Sequence, residues 1–333
     1  MKKNKIILDF APEIEGLIFR KFLGDPDFPE MMKVINAAAI ADKQESGETL
    51  EDLKHDYQHL TNCDPYQDMI MAEIHGELIA YARVTWWQEE EPNDRIYSHF
   101  VNIMPEWRDQ GIEVAIIQWC EARLRDIATT HPQDSQRVFQ TYSNEFKQRF
   151  NTILEDQGYI PSRFFIEMSR SLENLPTAEM PEGIEVRPVK KEDHRKIWEA
   201  SNDAFRDHWG YSEPKEEDYI SYTGSKYFQP DLWQIAWDGD EIVASVLNYI
   251  DHDYNKMHNR QRGWTEDIST RKAWRQRGIA KALIVRSMHL HKEMGMTEVG
   301  LGVDTHNPSG ALKLYEGLGY KKDKTFINYR KPL

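Results

Sequence analysis

A basic loop between a predicted strand and a predicted helix contains the residue types best suited to chemistry in this sequence. Residues 264–270 predict the strand, 271–278 the loop and 278–290 the helix, with the spacing Arg275-x-x-Gly278-x-Ala280 at the junction. Small residues let the backbone approach an anion, and the amides and dipole of a helix N-terminus favour negative charge. Cations surround the loop, namely Arg271, Lys272, Arg275 and Arg277. The segment therefore predicts a pyrophosphate site, with a basic turn that holds no ligand as the alternative.

A second strand and helix follow this segment. Residues 299–307 predict a strand that ends in a loop at Asn307. Residues 308–318 predict a helix that begins at Pro308, because apolar residues recur there at helical spacing, and Gly319 marks its end. Tyr315 lies on this helix, four residues before Gly319. Together, the two strands, the two helices, the Arg-x-x-Gly-x-Ala loop and the Asn-x3-Ala-x3-Tyr-x3-Gly-Tyr spacing form a compound pattern, which is more specific than the loop alone.

This compound pattern resembles the GNAT family of N-acetyltransferases, which bind acetyl-coenzyme A. The resemblance implies an α/β fold in which helices flank a mixed central sheet and two central parallel strands splay apart around the pantetheine arm. It makes Tyr315 the general acid that protonates the leaving thiolate; a buried tyrosine on an amphipathic helix is the alternative. The resemblance also implies that Asn307 contacts pantetheine. The alternative is that Asn307 is the N-cap of the helix that begins at Pro308. The cofactor-binding residues implied by the resemblance are Ile268, Ser269, Thr270, Arg275, Gln276, Arg277, Gly278, Ile279, Ala280, Lys281 and Asn307.

The first half of the chain repeats the second. Gly111 ends a Trp-Arg-Asp-Gln-Gly loop that aligns with the loop ending at Gly278, at an offset of 167 residues. Gly158 aligns with Gly319 at an offset of 161. A repeat of this size predicts two tandem GNAT (acyl-CoA N-acyltransferase) domains, each a mixed central sheet flanked by helices. Their predicted bounds are 1–172 for the N-terminal domain, 173–183 for a linker and 184–333 for the C-terminal domain.

Two departures separate the halves. Glu113 stands where the second half has Ala280, and its charge and bulk oppose an anion in the loop. Leu154 stands where the second half has Tyr315, and leucine cannot donate a proton. We therefore expect a degenerate first domain that packs against the second and shapes the acceptor cleft, and a catalytic second domain. The alternative is a first domain that binds acetyl-coenzyme A weakly or in another pose.

The sequence identifies the general base less clearly than it identifies the general acid. A primary amine is mostly protonated at neutral pH, so a base or a water chain must remove its proton, and backbone donors can stabilise the developing oxyanion. The resemblance implies a strand glutamate, but Trp264 occupies that position. Glu266 lies two residues later on the same face by strand alternation, whereas Asp267 points the other way. Glu266 is the predicted base, with a structural carboxylate as the alternative, and His208 is a second candidate.

The acceptor side of such domains is lined by the connection between the first helices, here residues 204–214. This segment is dense in aromatic and acidic side chains, which suit a cationic or sugar-like acceptor, although an ordered loop with helix caps is equally compatible. The predicted substrate-binding residues are Asp207, His208, Trp209 and Tyr211.

Composition narrows the class of protein. The chain has 333 residues and a net charge of −14, which argues against binding nucleic acid or an anionic membrane. Cys63 and Cys120 form no disulfide framework, no Cys/His cluster has metal-site spacing, and no signal peptide or membrane span is evident. We expect a cytoplasmic monomer or homodimer without a metal.

These features predict an acyltransferase that moves acetyl from acetyl-coenzyme A to a primary amine of a small molecule by direct attack in a ternary complex. Amino sugars, antibiotics, polyamines and peptide N-termini all remain possible acceptors. The alternatives are a non-catalytic acyl-coenzyme A sensor or scaffold, a peptide or protein N-acetyltransferase, and an enzyme with a longer acyl donor.

Overall fold

The computed structural model describes residues 4–307 and 309–333. Its contacts group the chain into two units: unit 1 comprises Met1–Phe164 with Phe326–Leu333, and unit 2 comprises Phe165–Thr325. Each unit contains a mixed sheet with helices, so the predicted tandem α/β fold is confirmed.

Unit 1 contains five helices among the described residues: α1 (Phe28–Ala41), α2 (Leu50–Gln58), α3 (Pro65–Asp68), α4 (Ile112–Ala128) and α5 (Gln148–Asp156). Its strands are β1 (Lys5–Ile6), β2 (Leu17–Arg20), β3 (Met69–Ile74), β4 (Glu77–Gln88), β5 (Arg95–Ile103) and β6 (Arg137–Asn144), to which the ends of two further strands are added: β7 (Ile160–Ser171) and β13 (Lys321–Pro332). Neighbouring strands from β1 to β6 pair in chain order. Only β5 and β6 are parallel among these pairs in the described part of unit 1.

Unit 2 repeats this plan. Its helices are α6 (His194–Phe205), α7 (Glu216–Gly224), α8 (His252–His258), α9 (Ile279–Glu293) and α10 (Ala311–Gly317). Its own strands are β8 (Ile184–Val186), β9 (Gln234–Asp238), β10 (Glu241–Tyr249), β11 (Arg262–Thr270) and β12 (Glu298–Asp304). The order from one edge is β8, β9, β10, β11, β12 and then β7, with β11 and β12 parallel.

Each sheet buries side chains on both faces. In unit 1, Met69 and Met71 of β3 belong to the cluster packed against α1, whereas Ile70 and Ala72 belong to the cluster packed against α4. Successive strand residues point to opposite faces, so this alternation places helices on the two sides of the sheet. Long runs of buried apolar residues in the central strands follow from this two-sided burial.

The predicted domain bounds, 1–172, 173–183 and 184–333, differ from the two units. From Phe165 onward β7 pairs with β12 of unit 2, and from Phe326 onward β13 pairs with β6 of unit 1. Part of the predicted linker also packs on the core of unit 2 through Leu175 and Met180. A strand that passes from one unit to the other has the same alternating pattern as any strand, so its partner cannot be read from local sequence.

Candidate active site

The site begins where the parallel strands β11 and β12 separate. Their paired register runs from Arg262 opposite Glu298 to Trp264 opposite Gly300. Beyond Trp264 no further pair is formed between them in the described chain, so the backbone of β11 from Thr265 to Thr270 faces a gap on that side. Backbone N–H and C=O groups in such a gap need partners, which makes the strand edge a place where an extended ligand can hydrogen-bond.

A β-bulge interrupts the pairing of β11 with β10 in the segment that faces this gap. Ser269 lies opposite Ser245 and Glu266 opposite Leu247 on β10, so β11 carries one residue more than its partner between these pairs. Asp267 takes a φ of 45° at this point, in the left-handed region that aspartate tolerates better than most residues. A bulge leaves part of the strand ladder unpaired and redirects the side chains that follow. The alternation between Trp264 and Glu266 precedes the bulge, so both residues share a face.

The loop after β11 ends at a helix N-terminus built for close approach. Gly278 is the N-cap of α9, with a φ of 85°, and a β-carbon placed there would have no atom within 4 Å. Ala280 in the first turn is also a small residue. The amides of the first turn have no acceptor within the helix, and the space at the Gly278 β-carbon position beside them is open.

Two of the predicted loop cations are held by the protein itself. The Arg275 guanidinium donates from Nε to the Thr270 carbonyl, 3.0 Å, and from Nη2 to the Ala204 carbonyl, 2.9 Å, and it forms a two-pronged ion pair with Asp207. Arg271 is paired with Asp203 and Glu241. Arg275 therefore fixes the loop against the end of α6, and the donors it uses for this purpose are not directed at a ligand.

The remaining cations of the segment are exposed. Lys272, Arg277 and Lys281 have exposed side chains and form no ion pair with another residue in the described ranges. They leave net positive charge beside the first turn of α9, in a chain that is acidic overall. An anion at this helix end meets both these charges and the helix dipole.

A cavity of about 330 Å³ joins these features. Most of the predicted site residues line it: Ile268, Ser269, Thr270, Arg275, Gln276, Gly278, Ile279, Ala280, Lys281, Asn307, Tyr315 and His208. The cavity wall does not include Arg277, Glu266, Asp207, Trp209 or Tyr211. Ala204, from the predicted acceptor segment, also lines it, and four residues not predicted to bind a ligand complete the wall: Trp274, Ser309, Ala311 and Leu314. Ala311 and Leu314 could have been found, because they share the helical stripe of Tyr315.

Tyr315 lies deep in the cavity wall, with 5% of its surface exposed. Burial raises the pKa of its hydroxyl, and the nearby Glu266 and Tyr320 raise it further, so the group is protonated at neutral pH. Asn307 also lines the cavity, and its Oδ1 accepts a hydrogen bond from the Ser309 amide at 2.9 Å. Helix α10 begins at Ala311 with Gly310 as its N-cap, so Asn307 is not the cap of that helix. The predicted helix start at Pro308 lies outside the described residues.

The Glu266 side chain bridges the gap between β11 and β12. Its Oε1 accepts a hydrogen bond from the Gly302 amide of β12 at 3.0 Å, although this residue does not line the cavity itself. Removal from water, followed by the Asp267 carboxylate and Glu167, raises its pKa to about 8, while the Gly302 amide opposes the shift. A carboxylate with this pKa exchanges protons readily near neutral pH.

The predicted acceptor residues occupy separate places. Asp207 is the partner of Arg275, which lowers the pKa of its carboxyl. His208 packs edge-on against Phe205 at 4.7 Å and lines the cavity. Trp209 lies 6.2 Å from the Phe165 ring, and the Arg206 guanidinium lies over the Tyr211 ring.

Unit 1 contains an equivalent loop, but a side chain of the protein itself lies in it. Gly111 has the conformation of Gly278, with φ of 84° against 85°, and the Asp42–Arg108 pair repeats the Asp207–Arg275 pair. Here the Glu113 side chain turns back, and its Oε1 accepts a hydrogen bond from the Asp109 amide at 3.1 Å. A protein carboxylate thus occupies loop donors that remain open in unit 2.

Other features of unit 1 agree with this difference. Leu154 is fully buried in the apolar core, β4 and β5 pair without a register shift, and the cavity beside Glu113 measures about 90 Å³. The 167-residue offset between the two halves aligns His99 with Glu266. The His99 Nε2 and the Tyr159 hydroxyl form a hydrogen bond of 2.8 Å. Burial lowers the pKa of this histidine to about 4.

The family model that matches this chain is the acetyltransferase (GNAT) family, at residues 31–139 and again at 194–320. These two regions together cover more than half of the sequence, and the chain therefore belongs to the GNAT family, a family of acyltransferase enzymes, in a tandem arrangement. In the described part of the chain, no helix is long and apolar enough to cross a membrane, and no group of three metal-binding side chains occurs.

Individual relatives agree with the family. A mycothiol acetyltransferase from Geodermatophilus obscurus is 22% identical over 269 residues, which is 80% of this chain and 82% of that protein. N-alpha-acetyltransferase 30 from Xenopus laevis is 32% identical over 118 residues, 34% of this chain and 41% of that protein. The crystal structure of a GCN5-related N-acetyltransferase from Sphaerobacter thermophilus has a TM-score of 0.74 and 27% identity, and the match covers 96% of each chain.

Proposed function

We propose that this protein transfers an acetyl group from acetyl-coenzyme A to a primary amine of a small molecule, and that unit 2 performs the reaction. The observation that carries this proposal is the cavity of unit 2. It brings the open strand edge of β11, the free N-terminus of α9 and the Tyr315 hydroxyl to one place, 3 features that an acyl-coenzyme A donor requires together.

Several details support the fit of the donor. The position of the Gly278 β-carbon is open space, so a pyrophosphate can approach the amides of the first turn, with Arg277 and Lys281 as exposed cations nearby. The Thr270 Oγ1 is buried and has no hydrogen-bond partner among the described residues, which leaves one polar group of the cavity wall to be satisfied by a ligand. When bound, acetyl-coenzyme A supplies an acetyl group activated as a thioester, whose thiolate is a good leaving group.

Glu266 is the proposed base and Tyr315 the proposed acid. Glu266 in its ionised form accepts the proton that the acceptor amine loses, either directly or through water. Because the pKa of Glu266 is about 8, only the ionised fraction of the protein can take up this proton at neutral pH. Burial keeps the Tyr315 hydroxyl protonated, so it can give a proton to the leaving thiolate. Backbone donors freed by the bulge at Asp267 can stabilise negative charge on the carbonyl oxygen.

The surroundings of Glu266 support a cationic acceptor. Burial raises the pKa of both Tyr249 and Tyr222. The carboxylates of Glu266 and Asp267 add to the rise for Tyr249, and that of Asp267 adds to it for Tyr222. The Tyr227 ring lies 4.8 Å from that of Tyr249. Aromatic faces and carboxylates are the surfaces that attract an ammonium group before it loses its proton.

Acetyl transfer is tested by measuring thiol release from acetyl-coenzyme A with a panel of amino sugars, polyamines and other primary amines. We expect one acceptor class to give turnover that Tyr315→Phe lowers strongly. Leu312→Ile, on the same helix but outside the cavity wall, is the matched control. Binding of acetyl-coenzyme A without turnover across the panel would instead make the protein a sensor or scaffold.

Peptide N-termini are a second candidate acceptor. The 32% identity to N-alpha-acetyltransferase 30 over 118 residues favours this possibility. A peptide acceptor presents a main chain as well as an amine, so its turnover should depend on the second and third residues. Tetrapeptides with varied N-terminal sequences, assayed beside their free N-terminal amino acids, distinguish the two: equal rates for both would indicate recognition of a small amine alone.

A further inference from the structure

Unit 1 contains a second, polar cavity that the acetyl-transfer site does not use. Its volume is about 270 Å³, three times that of the cavity beside Glu113. The C-terminal half of α1, the α1–α2 loop, α2 and the paired strands β4 and β5 enclose it. Ligand pockets of 300–1,000 Å³ hold drug-sized molecules, so this cavity suits a smaller metabolite.

The distinctive group in this cavity is Arg83. Its guanidinium lies 5.0 Å from the Tyr57 ring centre and 5.2 Å from that of Phe100, the residue directly opposite it in the β4–β5 register. The guanidinium therefore lies over two aromatic rings, and its planar fork of N–H groups supplies hydrogen-bond donors. No carboxylate in the described part of the chain forms an ion pair with Arg83.

Two further polar groups line the cavity near Arg83. The other cation of the wall, Lys147, already pairs with Asp42 at 3.3 Å, and Asp42 also accepts both prongs of Arg108. The Tyr57 hydroxyl is buried and has no hydrogen-bond partner among the described residues. The cavity therefore combines a planar cation that lies over two rings with the buried Tyr57 hydroxyl.

We propose that this cavity binds a small amino acid through its carboxylate, with Arg83 as the principal ligand. A carboxylate is planar and accepts two parallel bonds from the edge of a guanidinium. Asp56 also lines the cavity and offers a carboxylate to the ammonium group of such a ligand, whereas it would repel a dianion such as phosphate. Ile35, Leu53 and Phe100 provide apolar wall for the side chain.

The test is calorimetric titration of the full chain with each of the 20 standard L-amino acids. We expect at least one to bind with a Kd below about 1 mM, and its decarboxylated amine and inorganic phosphate to bind at least about tenfold more weakly. Arg83→Gln should weaken binding at least about tenfold, and Arg83→Lys should also weaken it because lysine lacks the planar fork.

The matched control is Arg187→Gln, which removes another arginine that lies over an aromatic ring, Trp237, but in unit 2. This variant should bind like the wild type. Circular dichroism and the melting temperature show whether the Arg83 variants are folded, and Arg83→Lys keeps the charge if Arg83→Gln fails to fold. The proposal is overturned if no amino acid binds the wild type, if phosphate binds more tightly through Arg83, or if folded Arg83 variants bind normally.

Discussion

Replacing Glu266 by glutamine tests the proposed base through two independent measurements. Glutamine keeps the shape of the side chain and an oxygen that can accept the Gly302 amide, but it cannot ionise. The pKa of Glu266 is raised from 4.5 to about 8 in the folded protein. At 1.36 kcal/mol per unit, this shift corresponds to an upper limit of roughly 5 kcal/mol of lost unfolding free energy. Because the residue is partly exposed, solvent screening reduces the cost, and we expect about 2 kcal/mol.

The sign follows from proton binding in the two states. Below about pH 4.5 folded and unfolded chains both hold the proton, so the substitution is neutral there. Between pH 4.5 and about 8 the unfolded chain loses the proton first, so the folded wild type loses stability as the pH rises. Glu266→Gln should therefore melt at a higher temperature than the wild type at pH 8 and at nearly the same temperature at pH 4.5.

The kinetic half of this experiment is the pH dependence of kcat/KM. With Glu266 as the base, the rate of the wild type should fall about tenfold per pH unit below about pH 8, and Glu266→Gln should lose both this limb and most of the rate. Asp267→Asn is the matched control: it keeps the base but removes a charge that raises the pKa of Glu266, so the limb should move to lower pH. An unchanged limb in Glu266→Gln would refute the assignment and favour His208 or a water chain.

Three further substitutions test the donor site and the division of labour. Tyr315→Phe should lower kcat at least about a hundredfold and leave the Kd of acetyl-coenzyme A unchanged, since the phenyl ring still fills the wall; an unaltered rate would remove Tyr315 as the acid. Gly278→Glu should abolish acetyl-coenzyme A binding, whereas Gly278→Ala, which has the same unfavourable φ but no charge, should retain most of it, as titration would show. Glu113→Ala should leave turnover unchanged, because that carboxylate fills the unit 1 loop; a large loss in the steady-state rate would mean that unit 1 takes part in the reaction.

The sequence was sufficient for the parts of the site that depend on short-range spacing. Gly278, Ala280 and Tyr315 follow from residue size and helical periodicity, and the structure brings them to one cavity. The repeat predicted two domains of one architecture, and Glu113, which distinguishes the first loop from the second, accepts a hydrogen bond from the Asp109 amide. These features survive because each rests on a few neighbouring residues whose local structure is fixed by backbone geometry.

Other features depend on partners that are distant in the chain. Arg275 looked like an anion ligand, but Asp207, 68 residues earlier, holds its guanidinium. The bulge at Asp267 has no local sequence signature beyond an aspartate, since it is defined by the register with β10. Residues 204–214 are predicted to line the acceptor side, yet Asp207, Trp209 and Tyr211 each contact a different neighbour. Contacts between residues that are distant in the chain determine these three features, and local sequence patterns do not encode such contacts.

The most direct measurement is a calorimetric titration of the full chain with acetyl-coenzyme A to count sites. We expect one site per chain, located in unit 2, that disappears in Gly278→Glu and is unchanged in Glu113→Ala. Two sites, or a single site that persists in Gly278→Glu, would contradict the assignment of the donor to the loop before α9. Absence of binding would contradict the proposal that acetyl-coenzyme A is the donor.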